Sequence, residues 1–425
     1  MILGRRNVGI STSYFNKGGD ITKILRVEKH IIKKSHKMWK TCDELCFKSK
    51  NLYNYANYIQ RQRFINGEKI INCVDIQKLL KTHEAFKELG SNSAQQTLQL
   101  LDKTWKSFFF AIKDYSKYPY KYLGKPNIPK YKDKNGRYVC VLTNLQSQIK
   151  DGYLYFAFKP LKPYNNMFKT QVKGKHMQTR IIPKGSCYVL EIVYETEAPE
   201  VATESKNIIG IDLGLNNFAT LTNNVGALPI VINGKGIKSH NQYWNKQVKL
   251  LSLDLKKKHN KHWSNELGRL TQKRNNKMEY FMHCASKYIV DYCIATGGDT
   301  IVIGHNNKWK QDSKMNKKVN QEFIQIPYEN FINKLKYKCE NQGIIFVETE
   351  ESYTSGTSFL DNELPIAENY IKKRRIHRGL FKSNNGTLIN ADVNGAYQIM
   401  KKVFPNVFAN GIEGVGLHPI RVNVG

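Results

Sequence analysis

Two carboxylates define the chemistry open to this chain. Asp212 lies in the stretch Ile208–Leu221, IIGIDLGLNNFATL, and Asp392 in Asn390–Ile399, NADVNGAYQI. An acid inside an otherwise apolar strand is costly unless it is paired or binds a cation. Strand alternation puts Ile209, Ile211 and Leu213 on one face and Gly210, Asp212 and Gly214 on the other. The two glycines predict open space beside Asp212 for a metal ion and a phosphate. The simpler role for such an Asp is to end a strand and cap a turn. Asp392 opens a helix with a buried stripe of Ala396, Ile399, Met400 and Val403, where the helix dipole favours an acid in any case. Acids are scarce here: 67 Lys and Arg stand against 35 Asp and Glu, a net charge of +32. Two acids so placed in so basic a chain point to metal-dependent cutting of nucleic acid.

The charge constrains the partners. Such an excess of one sign repels itself unless a polyanion neutralises it, so nucleic acid is the leading partner. No apolar run approaches the ~18 residues of a membrane span, so no membrane partner is expected. The first residues, MILGRRNVGISTSYF, lack a signal-peptide apolar core, which predicts a cytoplasmic protein that joins the nucleoid when bound to DNA. In that compartment the eight cysteines are expected to be reduced and structural.

At 425 residues two or more domains are expected. Residues 1–36 read as basic strands or irregular chain, and helical spacing runs from Lys37 to about Ile65. There Tyr55 and Arg61 belong to an interleaving of tyrosines and cations that suits a nucleic-acid backbone and its bases, and equally a solvated helix face. A helix pair follows over about 74–114, with Leu98, Leu101, Trp105 and Phe108 as its apolar stripe. Gln95 and Gln96 flank that stripe; glutamine can pair with adenine, but taken alone they read as surface residues. Residues 115–137 are a Lys-, Tyr- and Pro-rich linker expected to follow a phosphate backbone, and 138–199 carry short strands of a small β-barrel or sandwich.

From Asn207 the pattern turns α/β: a hairpin at 208–222, a strand near 228–233, charged helices over 239–296, and a buried strand Thr300–Ile303. A Lys-rich loop at 306–320, a helix Tyr328–Asn341 and a strand Gly343–Glu351 come next. A polar stretch, 354–388, contains the basic run KKRRIHR, and the helix from Asp392 closes the domain. This order fits an RNase H-like fold, in which acids from the first strand, the fourth strand and a late helix hold two Mg²⁺ about 4 Å apart.

At these residues the chain resembles the TnpB family, transposon-encoded RNA-guided nucleases related to type V CRISPR effectors. GIDLGLNNFATL and NADVNGAYQI resemble the first and third RuvC motifs; IVIGHNNKWK, NQEFIQIPY and EESYTSGTSFLD also resemble segments of one subgroup. The resemblance implies a multidomain α+β protein. A helical recognition domain with its linker would span 37–137. A wedge β-barrel would combine 1–36 with 138–200. The RuvC domain would occupy 201–353 and 389–425, around a small nucleic-acid-binding insert at 354–388. It further implies a guide RNA from the transposon end and a double-stranded DNA target read by base pairing beside a short adjacent motif. Gln95 and Gln96 would lie near that motif, and the 306–320 loop would be a lid over the strand being cut.

Two departures follow. The glutamate usual in the second RuvC motif is here Gly304, and the insert lacks the cysteines of a zinc ribbon, so no structural zinc is expected. Ser358, Asp361, Lys382 and Asn385 stand roughly where those cysteines would be. The strand ending in GIIFVETEE should lie about 4.8 Å from TIVI, within reach of a glutamate side chain. Glu351 is the first choice to replace the missing acid and Glu350 the second, with Glu348 also at that edge; strand parity does not choose between them. The expected catalytic and metal-binding set is therefore Asp212, Glu351 and Asp392, holding Mg²⁺. Gly304 keeps two other readings open: a nuclease-dead, RNA-guided repressor, and a transposase with an RNase H-like site.

Overall fold

A computed structural model describes residues 23–306, 317–409 and 415–425. The expected N-terminal strands before Lys23 and the expected lid across 307–316 lie outside them. The chain forms two compact units, divided between Glu197 and Ala198.

The first unit begins with a long strand, β1 (Lys23–Lys33), and a long helix, α1 (Trp39–Ile65). Where one helix pair was expected, three helices follow: α2 (Cys73–Leu80), α3 (Glu84–Leu89) and α4 (Ser91–Lys117). Asn72 and His83 cap α2 and α3 by accepting backbone N–H bonds. Gly90, at φ +76°, makes the sharp turn into α4 that a residue with a Cβ resists. The strands expected as a small barrel form a four-stranded antiparallel sheet and a separate hairpin among the described residues. The sheet runs β1, β6 (Cys187–Glu197), β5 (Lys175–Lys184), β2 (Cys140–Thr143). The hairpin is β3 (Ser147–Lys150) and β4 (Tyr153–Phe156), turned by Asp151 and Gly152, both at positive φ. Trp105 is fully buried between helices and donates its indole N–H to Asn57 (3.0 Å).

The 115–137 linker gives its carbonyls to α1: Lys50 reaches Lys134, Asn54 reaches Lys132, and Asn57 and Arg61 both reach Pro129. Its backbone is thus tied to protein, where a path along phosphates had been expected.

The second unit is a six-stranded sheet between helices. Strands β7 (Ile208–Leu213), β8 (Asn217–Asn223) and β9 (Ile230–Asn233) form an antiparallel meander. After α5 (Lys235–His259) and α6 (Asn265–Ala295), strand β10 (Thr300–Gly304) pairs parallel to β7 on its open side. Helices α7 (Lys317–Ile324) and α8 (Tyr328–Glu340) lead to β11 (Ile345–Thr349), parallel to β10. The last elements are a hairpin of β12 (Leu380–Lys382) and β13 (Leu388–Asn390), then α9 (Ala391–Val403), and finally β14 (Ile420–Val422) beside β9. The strand order is β11-β10-β7-β8-β9-β14.

Sheet alternation sorts the core. Ile209, Ile211 and Leu213 pack with Met282, Ile289 and Phe331 of α6 and α8, whereas Val302 packs with Tyr397, Ile399 and Met400 of α9. Gly210 faces α9 too, and its role differs from the expected one. A Cβ there would lie 2.3 Å from Met400 Cγ and 2.6 Å from the Ala396 carbonyl oxygen, so this glycine admits a helix and leaves no room for a phosphate. At Gly214 the space is filled by the Asn217 carbonyl oxygen, 2.5 Å from such a Cβ.

Candidate functional site

Asp212 is the next-to-last residue of β7, paired across to Thr220 of β8. Ile211 pairs with Ile303, so Asp212 and Gly304 continue the register side by side at the carboxyl ends of their strands. Helix α9 crosses above them: a Cβ on Gly395 would lie 3.0 Å from Asp212 Oδ2. The first turn of α9 carries Asp392, held by the Asn390 cap, whose Oδ1 accepts from the N–H groups of Asp392 (3.0 Å) and Val393 (3.2 Å).

The third acid comes from beyond the strand. β11 ends at Thr349, opposite Gly304, two residues short of the expected end. The chain then turns, with Tyr353 at φ +70°, and Glu351 lies within this turn. A Cβ on Gly304 would lie 2.5 Å from Ile399 Cδ1 and 3.2 Å from Glu351 Cβ. The side-chain space of position 304 is therefore already shared by Ile399 and Glu351. Glu350 points elsewhere: it is exposed, accepts from Ser352, and pairs with Lys402 at 3.3 Å. Glu348 is exposed on the strand.

Asp212, Glu351 and Asp392 line one cavity of about 840 Å³, together with Asn217, Asn306, Lys235, Arg375, Arg378 and Arg421. Crowding shows in the acidity. Burial, then the Glu351 charge, then the Asp392 charge push the Asp212 carboxyl well above the usual carboxylate range, and Arg375 partly opposes them. Asp392 is held on both oxygens: Asn217 donates to Oδ2 (2.6 Å) and Arg375 donates to Oδ1 (3.3 Å). Beneath the acids the Tyr328 hydroxyl donates to the Gly214 carbonyl (2.8 Å), pinning the β7–β8 turn.

The donor set suits a hard divalent cation, since every candidate ligand is an oxygen. The raised proton affinity of Asp212 marks a place where positive charge is favoured. Among the described residues, as they stand, no three His, Cys, Asp or Glu side chains converge on one ion. Here Arg375 supplies the local positive charge to Asp392.

The other expected contacts lie in the first unit. Tyr55 is 40% exposed and stacks on His83 at 4.0 Å. Arg61 donates to the Pro129 carbonyl (2.8 Å) and lies over Tyr131, so its guanidinium serves the linker. Gln95 is exposed and Gln96 half-buried on α4. Sequence reasoning missed Asn217, Asn306 and Arg375 as site residues. All three lie in segments it had singled out, but nothing in their spacing shows which asparagine or arginine turns inward.

The insert is closed by polar contacts. Ser358 N–H donates to Glu363 (2.8 Å), Arg374 pairs with Glu363 (2.5 Å) and donates to Asn384 (2.9 Å), and Asn384 N–H donates to Asp361 (2.9 Å). Asn394 of α9 donates to the Thr357 carbonyl (2.8 Å) and accepts from Phe359 N–H (3.0 Å), seating the insert on the helix.

A solved structure titled as a Cas12f1–sgRNA–target DNA complex has the same overall fold. It aligns with a TM-score of 0.52 at 15% identity, over 85% of this chain and 82% of that one. Residues 191–310 match the OrfB_IS605 family, described as a probable transposase, and residues 328–399 match the TNB domain of Cas12f1-like proteins. TnpB-like protein ORF457 of Acidianus two-tailed virus is 23% identical over 395 residues, covering 83% of this chain and 81% of its own. Together these matches support the resemblance of the chain to the TnpB family. Among its described residues no helix is long and apolar enough to cross a membrane.

Proposed function

We propose that this protein is an RNA-guided, metal-dependent endonuclease of double-stranded DNA, with an RNase H-like RuvC domain in its second unit. The observation that carries this reading is the contact at Gly304. Glu351 shares the side-chain space of the missing acid with Ile399 and lines the same cavity as Asp212 and Asp392. The strand order, with β10 and β11 parallel to β7 beside the meander, supports the domain reading. The sheet of the first unit would serve as the wedge and its helices as the recognition domain, with Gln95 and Gln96 beside the adjacent motif. A transposon-end guide RNA would read the target by pairing, with the protein holding the backbones.

Asp212, Glu351 and Asp392 would hold Mg²⁺, which when bound activates water and stabilises the leaving oxygen, giving 5′-phosphate and 3′-hydroxyl ends. Asn217 keeps one Asp392 oxygen oriented. Lys235, Arg378 and Arg421 on the cavity wall attract the phosphodiester. Arg375 neutralises Asp392 until other cations arrive.

The test is a cleavage assay with the co-purified RNA, a matching duplex and Mg²⁺. The wild type and Glu350→Ala should cut; Asp212→Ala and Glu351→Ala should bind but not cut. Full cleavage by Glu351→Ala would refute the displaced glutamate. A second reading, guided binding without cleavage, is favoured by the Arg375–Asp392 pair and by the absence of a three-ligand cluster among the described residues. A wild type that binds its target without cutting it would select that reading.

A further inference from the structure

We propose that Asn306 is the positioning residue for the displaced glutamate, a role that rests on the reading of Asp212, Glu351 and Asp392 as metal ligands. A glutamate on a strand is aimed by the ladder around it. Glu351 has left the ladder: pairing between β10 and β11 ends at Gly304 and Thr349, with one further bond from His305 N–H to the Thr349 carbonyl (2.8 Å). Beyond that point something else must fix the turn.

The Asn306 side chain does so with both ends of its amide. Its Oδ1 accepts the Glu351 backbone N–H at 3.0 Å, and its Nδ2 faces Glu351 Oε1 at 3.5 Å. Thr354 closes the other side, its hydroxyl donating to the Glu351 carbonyl at 2.8 Å. Asn306 stands two residues after Gly304, so the strand that lacks the acid also supplies the group that captures its substitute. Gly304 makes room for the Glu351 Cβ, and Asn306 sets the direction of the carboxylate. An amide is suited to this task because it offers an acceptor and a donor in one rigid plane. Groups that orient a metal ligand typically change metal affinity by about 10–100-fold when removed.

The experiment measures Mn²⁺ binding to the full-length protein by electron paramagnetic resonance, with the Asp212→Ala protein defining the background. Asn306→Ala should weaken binding about tenfold, with melting temperature and guide-RNA binding unchanged, and excess Mn²⁺ should restore cleavage. Asn306→Thr offers one hydroxyl in place of two amide ends, so when it accepts the Glu351 N–H no separate donor remains to aim Oε1, and its turn stays docked while the metal effect persists. If Glu351→Ala loses Mn²⁺ while both Asn306 variants bind like wild type, the positioning role is overturned and the displaced glutamate stands. If Glu351→Ala itself binds Mn²⁺ like wild type, the metal-site reading falls and takes this role with it.

Discussion

At the scale of single residues, the site concentrates negative charge in a chain that has little of it. Asp212 is held protonated to unusually high pH by burial and by Glu351 and Asp392. Because its folded-state pKa lies above the unfolded value of about 3.9, its protonated form favours the fold at low pH. That advantage is lost as pH rises through the folded value. At neutral pH the unfolded carboxyl is ionised, so in the metal-free protein Asp212 opposes folding. Asp212→Asn should raise the melting temperature in chelator at pH 7.5 while abolishing cleavage, and Mg²⁺ should stabilise the wild type but not the variant. Scanning calorimetry with and without metal checks both signs.

The chain's basic reading of Gly210, Asp212 and Gly214 as one face was sound, yet the purpose of the glycines was not legible. Alternation reports which side a residue takes, not what occupies that side. Only the packing of Met400 and Ala396 against Gly210 shows that the vacancy belongs to α9. Gly210→Ala should accordingly cost about 1–3 kcal/mol through overpacking, seen as a lowered midpoint in urea.

Among elements, the insert at 354–388 shows how a segment without zinc ligands can still be closed. Arg374 and Glu363 are only 11% and 17% exposed, and their pair joins two stretches that Asp361 and Asn384 also tie. Removing one partner of a largely buried pair strands the other charge, at a cost of about 3–5 kcal/mol. Arg374→Ala should open this insert locally, detected as faster hydrogen exchange over 354–388, whereas chelators should leave its protection unchanged. None of these pairings could be read from the sequence, because they join positions made adjacent only by the turns between them. The expected end of β11 erred for a related reason: the acids of VETEE are compatible with a strand or a turn, and the left-handed Tyr353 decides for a turn.

Across the whole molecule, a net charge of +32 favours association with a polyanion. Binding of RNA and of guided target should fall steeply and linearly in log[salt], with a slope of about −0.9 for each duplex phosphate neutralised. Filter binding across a salt series tests this, and a flat dependence would contradict a phosphate-tracking surface. Arg61→Ala should leave that slope nearly unchanged, because its guanidinium is engaged by the Pro129 carbonyl and Tyr131.

The sequence alone determined much of the order of elements, the excess of positive charge, the resemblance to the TnpB family and the places of Asp212 and Asp392. These are carried by local periodicity, composition and contiguous motifs, and each is written within a few neighbouring residues. Only the tertiary structure decided which glutamate approaches Asp212 and what occupies the space beside Gly304. It also decided that the linker serves α1 and that Asn306 grips Glu351. Those outcomes depend on side chains distant along the chain meeting at distances of about 3 Å, and a turn that shifts by one residue redirects every one of them.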